Sequence, residues 1–139
     1  MQVRFFPLSP DDQALLERQR AVVRGVVEAC RGPLPEDWRC DAETLQQLVD
    51  DEVFQPTQTY ELQCLGVALG DLLVGGAGFN WSMVHDAYGR DPTVRWKSTS
   101  ICVNAITMIS KRVENGEVVD IAHLLRVAEG RARDLELQE

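Results

Sequence analysis

The densest run of chemically able side chains lies between Asp86 and Trp96, where Asp-Ala-Tyr-Gly-Arg-Asp-Pro-Thr-Val-Arg-Trp crowds charged and aromatic groups together. Arg90 and Arg95 are equipped to hold an anion, because a guanidinium fork matches carboxylate or phosphate oxygens. Tyr88 would orient a ligand beside them. Asp86 would serve as an acid or base only if burial or a neighbour shifted its pKa. The candidate binding residues are therefore Asp86, Tyr88, Arg90 and Arg95.

Other chemistry-bearing residues point nowhere specific. His85 and His123 are the two histidines, and neither has partners that would make it catalytic or metal-ligating. Cys30, Cys40, Cys64 and Cys102 form no C-x-x-C and stand at no ligand spacing from a histidine, so no metal site is expected. A core of this size needs no disulfide, and the cysteines read as reduced, mostly buried thiols. Cys102 falls on a predicted polar strand face without a base to activate it. Gly75-Gly76-Ala77-Gly78 follows a helix and precedes a strand. Phosphate loops run in the opposite order, so it reads as a helix cap. No catalytic set and no cofactor is expected, and the balance leans away from an enzyme.

The elements that must position these residues are marked by caps and periodicity. Ser9-Pro10-Asp11-Asp12 starts a helix: a capping hydroxyl, proline in the first turn, then acids against the dipole. Leu15, Leu16, Val22, Val23, Val26, Val27 and Cys30 form its apolar stripe, and Gly32-Pro33 ends it. Asp41 caps a second helix, which stops before Pro56. A third begins at Thr57–Thr59 and carries Leu62, Leu65, Leu69, Leu72 and Gly76 along one seam. From Phe79 the period drops to two, so Phe79 to Tyr88 reads as a strand. Gly89-Arg90-Asp91-Pro92 has turn chemistry. Thr93–Lys97 and Ser100–Asn104 then read as two further strands. Ala105–Val113 returns to helical spacing, Asn115-Gly116 breaks it, and Asp120 caps a last helix. Val3–Phe6 is a candidate edge strand. The order helices, strands, helices predicts an α+β fold over 1–139. An antiparallel meander of three strands, or four with the edge strand, packs against about five helices.

Register decides which hairpin residues meet. A four-residue loop would set Tyr88 opposite Thr93, Asp86 opposite Arg95 and Val84 opposite Lys97. Trp81, Met83 and His85 then share an apolar face with Val94 and Trp96. Asn80, Ser82, Asp86, Tyr88, Thr93, Arg95 and Lys97 share a polar one. This register predicts an Asp86–Arg95 pair, which would lower the pKa of Asp86 and disfavour it as a general base.

Charge bounds the partners. The net charge is −8 and the pI about 4.7, which disfavours nucleic acid and anionic membranes. The acids are unevenly spread: Asp41 to Gly89 contains eight acids and no Lys or Arg. Asp50-Asp51-Glu52 lies near the end of the second helix, where the dipole disfavours negative charge. Such a locally unfavourable placement can mark a binding surface. The amino terminus lacks a signal-peptide core and no apolar run reaches membrane-spanning length, so the expected compartment is the cytoplasm.

Three stretches carry a family resemblance: Glu61-Leu-Gln-Cys-Leu-Gly-Val-Ala-Leu-Gly-Asp71, Trp81-Ser-Met-Val-His-Asp-Ala-Tyr-Gly-Arg-Asp-Pro92 with Arg95-Trp96, and Met108-Ile-Ser-Lys-Arg-Val113. Together they resemble the bacterial family called domain of unknown function 3806. The resemblance implies a small bacterial α+β protein and brings no activity, ligand or catalytic residue. The expected function is a non-enzymatic protein-binding module, of the antitoxin or immunity kind, whose acidic face meets a basic protein. The alternative is a small-molecule or anion binder, or an enzyme, using the polar hairpin face. Homo-oligomerisation through the sheet is a third expectation.

Overall fold

The capping residues begin the helices where the sequence places them. A computed structural model describes residues 3–76 and 78–138. Its elements run β1 (Arg4–Phe6), α1 (Pro10–Arg31), α2 (Ala42–Asp50), α3 (Thr59–Val74), β2 (Phe79–Asp86), β3 (Gly89–Trp96), β4 (Cys102–Val103), α4 (Ala105–Glu114) and α5 (Ile121–Glu136). Ser9 closes a capping box with Asp12: the Asp12 N–H donates to Ser9 Oγ, and the Ser9 N–H donates to Asp12 Oδ2 at 2.8 Å. Asp41 and Asp120 accept from the N–H groups of Thr44 and His123. Each such bond satisfies a helix-end donor and is worth about 1 kcal/mol. Ala77, within the glycine-rich exit, lies outside the described residues, as do Met1 and Gln2.

The fold is α+β, and its strands form one antiparallel sheet in the order β1-β2-β3-β4. The edge strand read at Val3–Phe6 is present as Arg4–Phe6. The third predicted strand shrinks from Ser100–Asn104 to Cys102–Val103. α3 is apolar nearly all round, and it packs against α1, α2, α4, α5 and the sheet. Two of its glycines permit that crowding. A Cβ at Gly66 would stand 2.0 Å from the Ile106 carbonyl oxygen, and one at Gly70 would stand 2.5 Å from the Trp81 ring. The core has two parts. Leu45, Leu65, Leu69, Ile109 and Ile121 lie among the helices. Phe79, Val94, Trp96, Ala128 and Ala132 join the sheet to α5. Phe79 meets Trp96 edge-on at 4.8 Å, a contact worth about 0.5–1.5 kcal/mol beyond its buried area. Among the described residues, no helix is long and apolar enough to cross a membrane.

The hairpin register differs from the expected one. Asp86 pairs with Gly89, Val84 with Asp91, Ser82 with Thr93 and Asn80 with Arg95. Asp86 therefore does not face Arg95. The turn is Ala87-Tyr88 rather than Gly89–Pro92. Asp86 Oδ1 accepts the Tyr88 N–H at 2.8 Å and so shapes the turn from its own side chain. Gly89 follows at φ 124°, a conformation that favours glycine. Pro92 is tolerated inside β3 for a reason visible in the pairing. The Trp96 N–H donates to the Ile101 carbonyl, so alternate residues of β3 face β4. Pro92 is in that set, beyond the end of β4, where a missing donor breaks no ladder bond. The shift relative to the expected pairing is an even number of residues. It leaves the two faces unchanged: Phe79, Trp81 and Met83 still lie with Val94 and Trp96. The face read as polar is buried at its centre, however, where Ser82, Val84 and Thr93 are shielded.

The cysteines also depart from expectation. Cys64 is buried, whereas Cys30 and Cys102 are exposed and Cys40 is half-buried. Burial, helped by the neighbouring Asp41 carboxylate, pushes the Cys40 thiol up to about 12.

Candidate functional site

The four hairpin residues do not converge. Tyr88 stands at the tip with 96% of its surface exposed. Arg90 reaches across to α1 and grips Asp12 with both terminal nitrogens, at 3.0 and 2.7 Å. That fork, with the Ser9 N–H, holds the Asp12 carboxyl well below the usual carboxylate range. Arg95 turns the other way. Its Nε donates to the Thr99 carbonyl at 2.6 Å and its Nη2 to the Ser98 carbonyl at 2.9 Å. Its guanidinium also lies 4.2 Å from the centre of the Phe5 ring, a cation–π contact that reaches over β2. Both guanidiniums are thus occupied in holding the fold. His85 is exposed on β2 opposite Arg90, and His123 sits in the first turn of α5.

Polar groups do converge at the junction of α1, α3 and β2. Asp71 accepts from Arg20 Nε and Nη2, each at 2.8 Å, and from Trp81 Nε1 at 2.9 Å. Glu17 takes the remaining terminal nitrogen of Arg20. Every strong donor here has an acceptor, so the cluster reads as a clamp between elements. Among the described residues, no three or more His, Cys, Asp and Glu side chains gather closely enough to hold a metal ion.

A cleft opens elsewhere, above the helical core, with a volume of about 550 Å³. Its floor is the top of that core: Leu48 from α2, Leu62 and Leu65 from α3, Val113 from α4, with Phe54 and Val119 from the connections. Asp50, Glu52 and Glu117 line it as well, and among the described residues no Lys, Arg or His does. The walls are tied together. The Gln46 side-chain amide donates to the Val119 carbonyl at 2.9 Å and accepts the Ile121 N–H at 2.7 Å. Thr59 Oγ1 donates to Glu114 Oε1 at 3.0 Å. The cleft is therefore preformed, apolar below and negative above, a combination that suits a cationic group attached to an apolar one. Its volume lies within the range of ordinary ligand sites, about 300–1,000 Å³.

The sequence singled out Asp50-Asp51-Glu52 for its unfavourable place at a helix end. It did not single out Glu117 and Val118, which meet that stretch only through the fold. No local spacing relates two segments so far apart in the chain.

The chain belongs to the family described as Domain of unknown function (DUF3806), whose model matches residues 41–124. That span includes α2, α3, the hairpin, α4 and both walls of the cleft. No curated protein matches the chain. A crystal structure of a protein from Bacteroides thetaiotaomicron VPI-5482, at 1.50 Å resolution, is similar with a TM-score of 0.78 at 16% sequence identity. The match covers 92% of this chain and 47% of that one, so the chain spans about half the length of its structural neighbour. At that identity the likeness is one of fold.

Proposed function

We propose that this domain is a protein-binding module whose acidic side receives a basic protein partner, in the manner of an antitoxin or immunity protein. The observation that carries the reading is the cleft lined by Asp50, Glu52 and Glu117 and, among the described residues, by no basic one. Two of these acids, Asp50 and Glu52, belong to a stretch of chain already biased, since Asp41 to Gly89 holds eight acids and no Lys or Arg. Like charge so placed raises the association rate of a cationic partner and repels nucleic acid.

Selection from a random peptide display library tests the reading. Enrichment of Lys- and Arg-containing segments, with binding that falls between about 50 and 500 mM salt as surface charges are screened, is the expected result. Selection of neutral or acidic segments, or salt-independent binding, overturns it.

A second reading places a small anion beside Tyr88, Arg90 and Arg95. It requires both guanidiniums to leave acceptors they already hold: Asp12 for Arg90, the Ser98 and Thr99 carbonyls for Arg95. A thermal shift with inorganic phosphate that disappears in Arg95→Ala would favour it over the first.

A further inference from the structure

Both walls of the cleft are helix C-termini of one construction. At the end of α2, the Val53 N–H donates to the Leu48 carbonyl and the Glu52 N–H to the Val49 carbonyl. At the end of α4, the Glu117 N–H donates to the Arg112 carbonyl and the Gly116 N–H to the Val113 carbonyl. Each is a Schellman motif, in which the residue after the cap takes a left-handed conformation. In α4 that residue is Gly116, at φ 71°. In α2 it is Glu52, at φ 50°. The left-handed conformation disfavours any side chain with a Cβ, and glycine is the usual occupant. A glutamate there is disfavoured twice, by its backbone and by its charge at the negative end of a helix dipole. Glu52 lines the cleft and its side chain is exposed.

Local stability does not account for Glu52, whereas a cation in the cleft does. The end of α2 presents a negative dipole pole with no base in its last turn, whereas Lys111 and Arg112 offset the pole of α4; Asp50, Glu52 and Glu117 add formal charge at the opening itself. Beneath lies the apolar floor of Leu62, Leu65 and Val113, and Val118 stands at the rim with 90% of its surface exposed. Resting on the basic-partner reading above, we infer that this cleft is the docking site. Its occupant is a short peptide segment of the partner that seats one large apolar side chain on the floor and an Arg or Lys between the ends of α2 and α4. Charge complementarity selects this occupant. A wholly apolar one would leave three carboxylates facing it without counter-charge, and nucleic acid would be repelled.

The test uses the whole domain and a short fluorescent peptide carrying one Phe between flanking Arg residues. Two control peptides carry Phe→Ser or Arg→Glu. The Arg–Phe peptide is expected to bind, and each control to bind at least about tenfold more weakly. Glu52→Gly combined with Glu117→Gln is expected to weaken the Arg–Phe peptide about tenfold. The variant should melt no lower than the parent, so unfolding would not explain the loss. Val118→Ser, an exposed change that leaves the charge unaltered, provides the second variant and is expected to weaken binding through the apolar rim. Unchanged affinity in both variants overturns the cleft assignment while leaving the basic-partner reading standing. Equal binding of the Phe→Ser peptide removes the apolar anchor, and equal binding of the Arg→Glu peptide removes the cation. Failure of every basic peptide to bind defeats both readings. Self-association in light scattering that Val118→Ser abolishes would assign the cleft to a second copy of the chain and overturn the proposal.

Discussion

Trp81 Nε1 donates a 2.9 Å hydrogen bond to Asp71 Oδ1, and the same carboxylate accepts two bonds from Arg20. One side chain of α3 thereby fixes α1 and β2 against it. Asp71→Ala leaves Nε and Nη2 of Arg20 and the Trp81 indole N–H without this acceptor, while Glu17 still holds Arg20 Nη1. Hydrogen bonds to charged groups are worth about 1.5–3 kcal/mol, and both Arg20 and Asp71 are 33% exposed. Water therefore replaces part of the loss, and a destabilisation of about 1–2 kcal/mol is expected. A urea titration followed by tryptophan fluorescence checks it, and an unmoved midpoint would show that the clamp is inert.

Helical glycines divide into two kinds. Gly66 and Gly70 have neighbours where a Cβ would stand, at 2.0 Å from the Ile106 carbonyl oxygen and 2.5 Å from the Trp81 ring. Gly66→Ala must move the backbone of α4, and is expected to lower stability by about 3 kcal/mol or more. Gly25 and Gly130 have nothing within 4 Å and lie inside α1 and α5. Alanine there should stabilise by about 0.5–1 kcal/mol each, because glycine only adds unfolded-state freedom at these sites. Thermal melts of the single variants read the sign directly. A stable Gly66→Ala protein would contradict the close packing of α3 on α4.

What was legible in the sequence was local or periodic. Ser9, Asp41 and Asp120 mark helix starts because a cap acts over three residues. The faces of β2 and β3 were legible because alternation survives any even shift of register. Register itself was not. Gly89-Arg90-Asp91-Pro92 has turn residues, but the chain turns at Ala87-Tyr88, where Asp86 supplies the hydrogen bond and Gly89 the positive φ. Pro92 misled because a proline on an unpaired strand flank has the same sequence signal as one in a turn. The Arg90–Asp12 and Gln46–Ile121 contacts join distant segments, and nothing at either end announces the other. Of the cleft, one half was legible as an anomaly, the acids at the end of α2, while nothing local marked Glu117 or Val118.

The Arg90–Asp12 pair makes a prediction about acid. Asp12, Asp41 and Glu136 all have carboxyls held below their ordinary range, by Arg90, by the Thr44 N–H and by Lys97 respectively. A depressed folded-state pKa means that the unfolded chain binds protons first as pH falls. The stabilisation is complete above the unfolded carboxyl range, about pH 4–4.5, and is lost as pH drops below it. The melting temperature should therefore fall steeply below about pH 4. In Arg90→Gln the Asp12 carboxyl returns toward its ordinary range, and the acid limb should become shallower. An unchanged slope in that variant would show that Arg90 does not set the Asp12 titration.

Glu52 separates stability from function at a single position. Its φ of 50° matches the glycine of the equivalent turn after α4, and its carboxylate sits at the negative pole of α2. Glu52→Gly removes the Cβ from a left-handed residue, worth about 1 kcal/mol. It also removes an unfavourable charge–dipole contact, worth a few tenths more. Glycine gives back part of this through its freer unfolded chain, so a net gain of about 0.5–1 kcal/mol is expected. Glu52→Ala keeps the Cβ and so isolates the charge term: it should gain only those few tenths. If both variants melt below the parent, the carboxylate has a stabilising partner in the folded chain, and the backbone and dipole account of this helix end is wrong. If Glu52→Gly gains stability while losing affinity for the Arg–Phe peptide, the glutamate is held at this turn by binding and against the local preference of the chain.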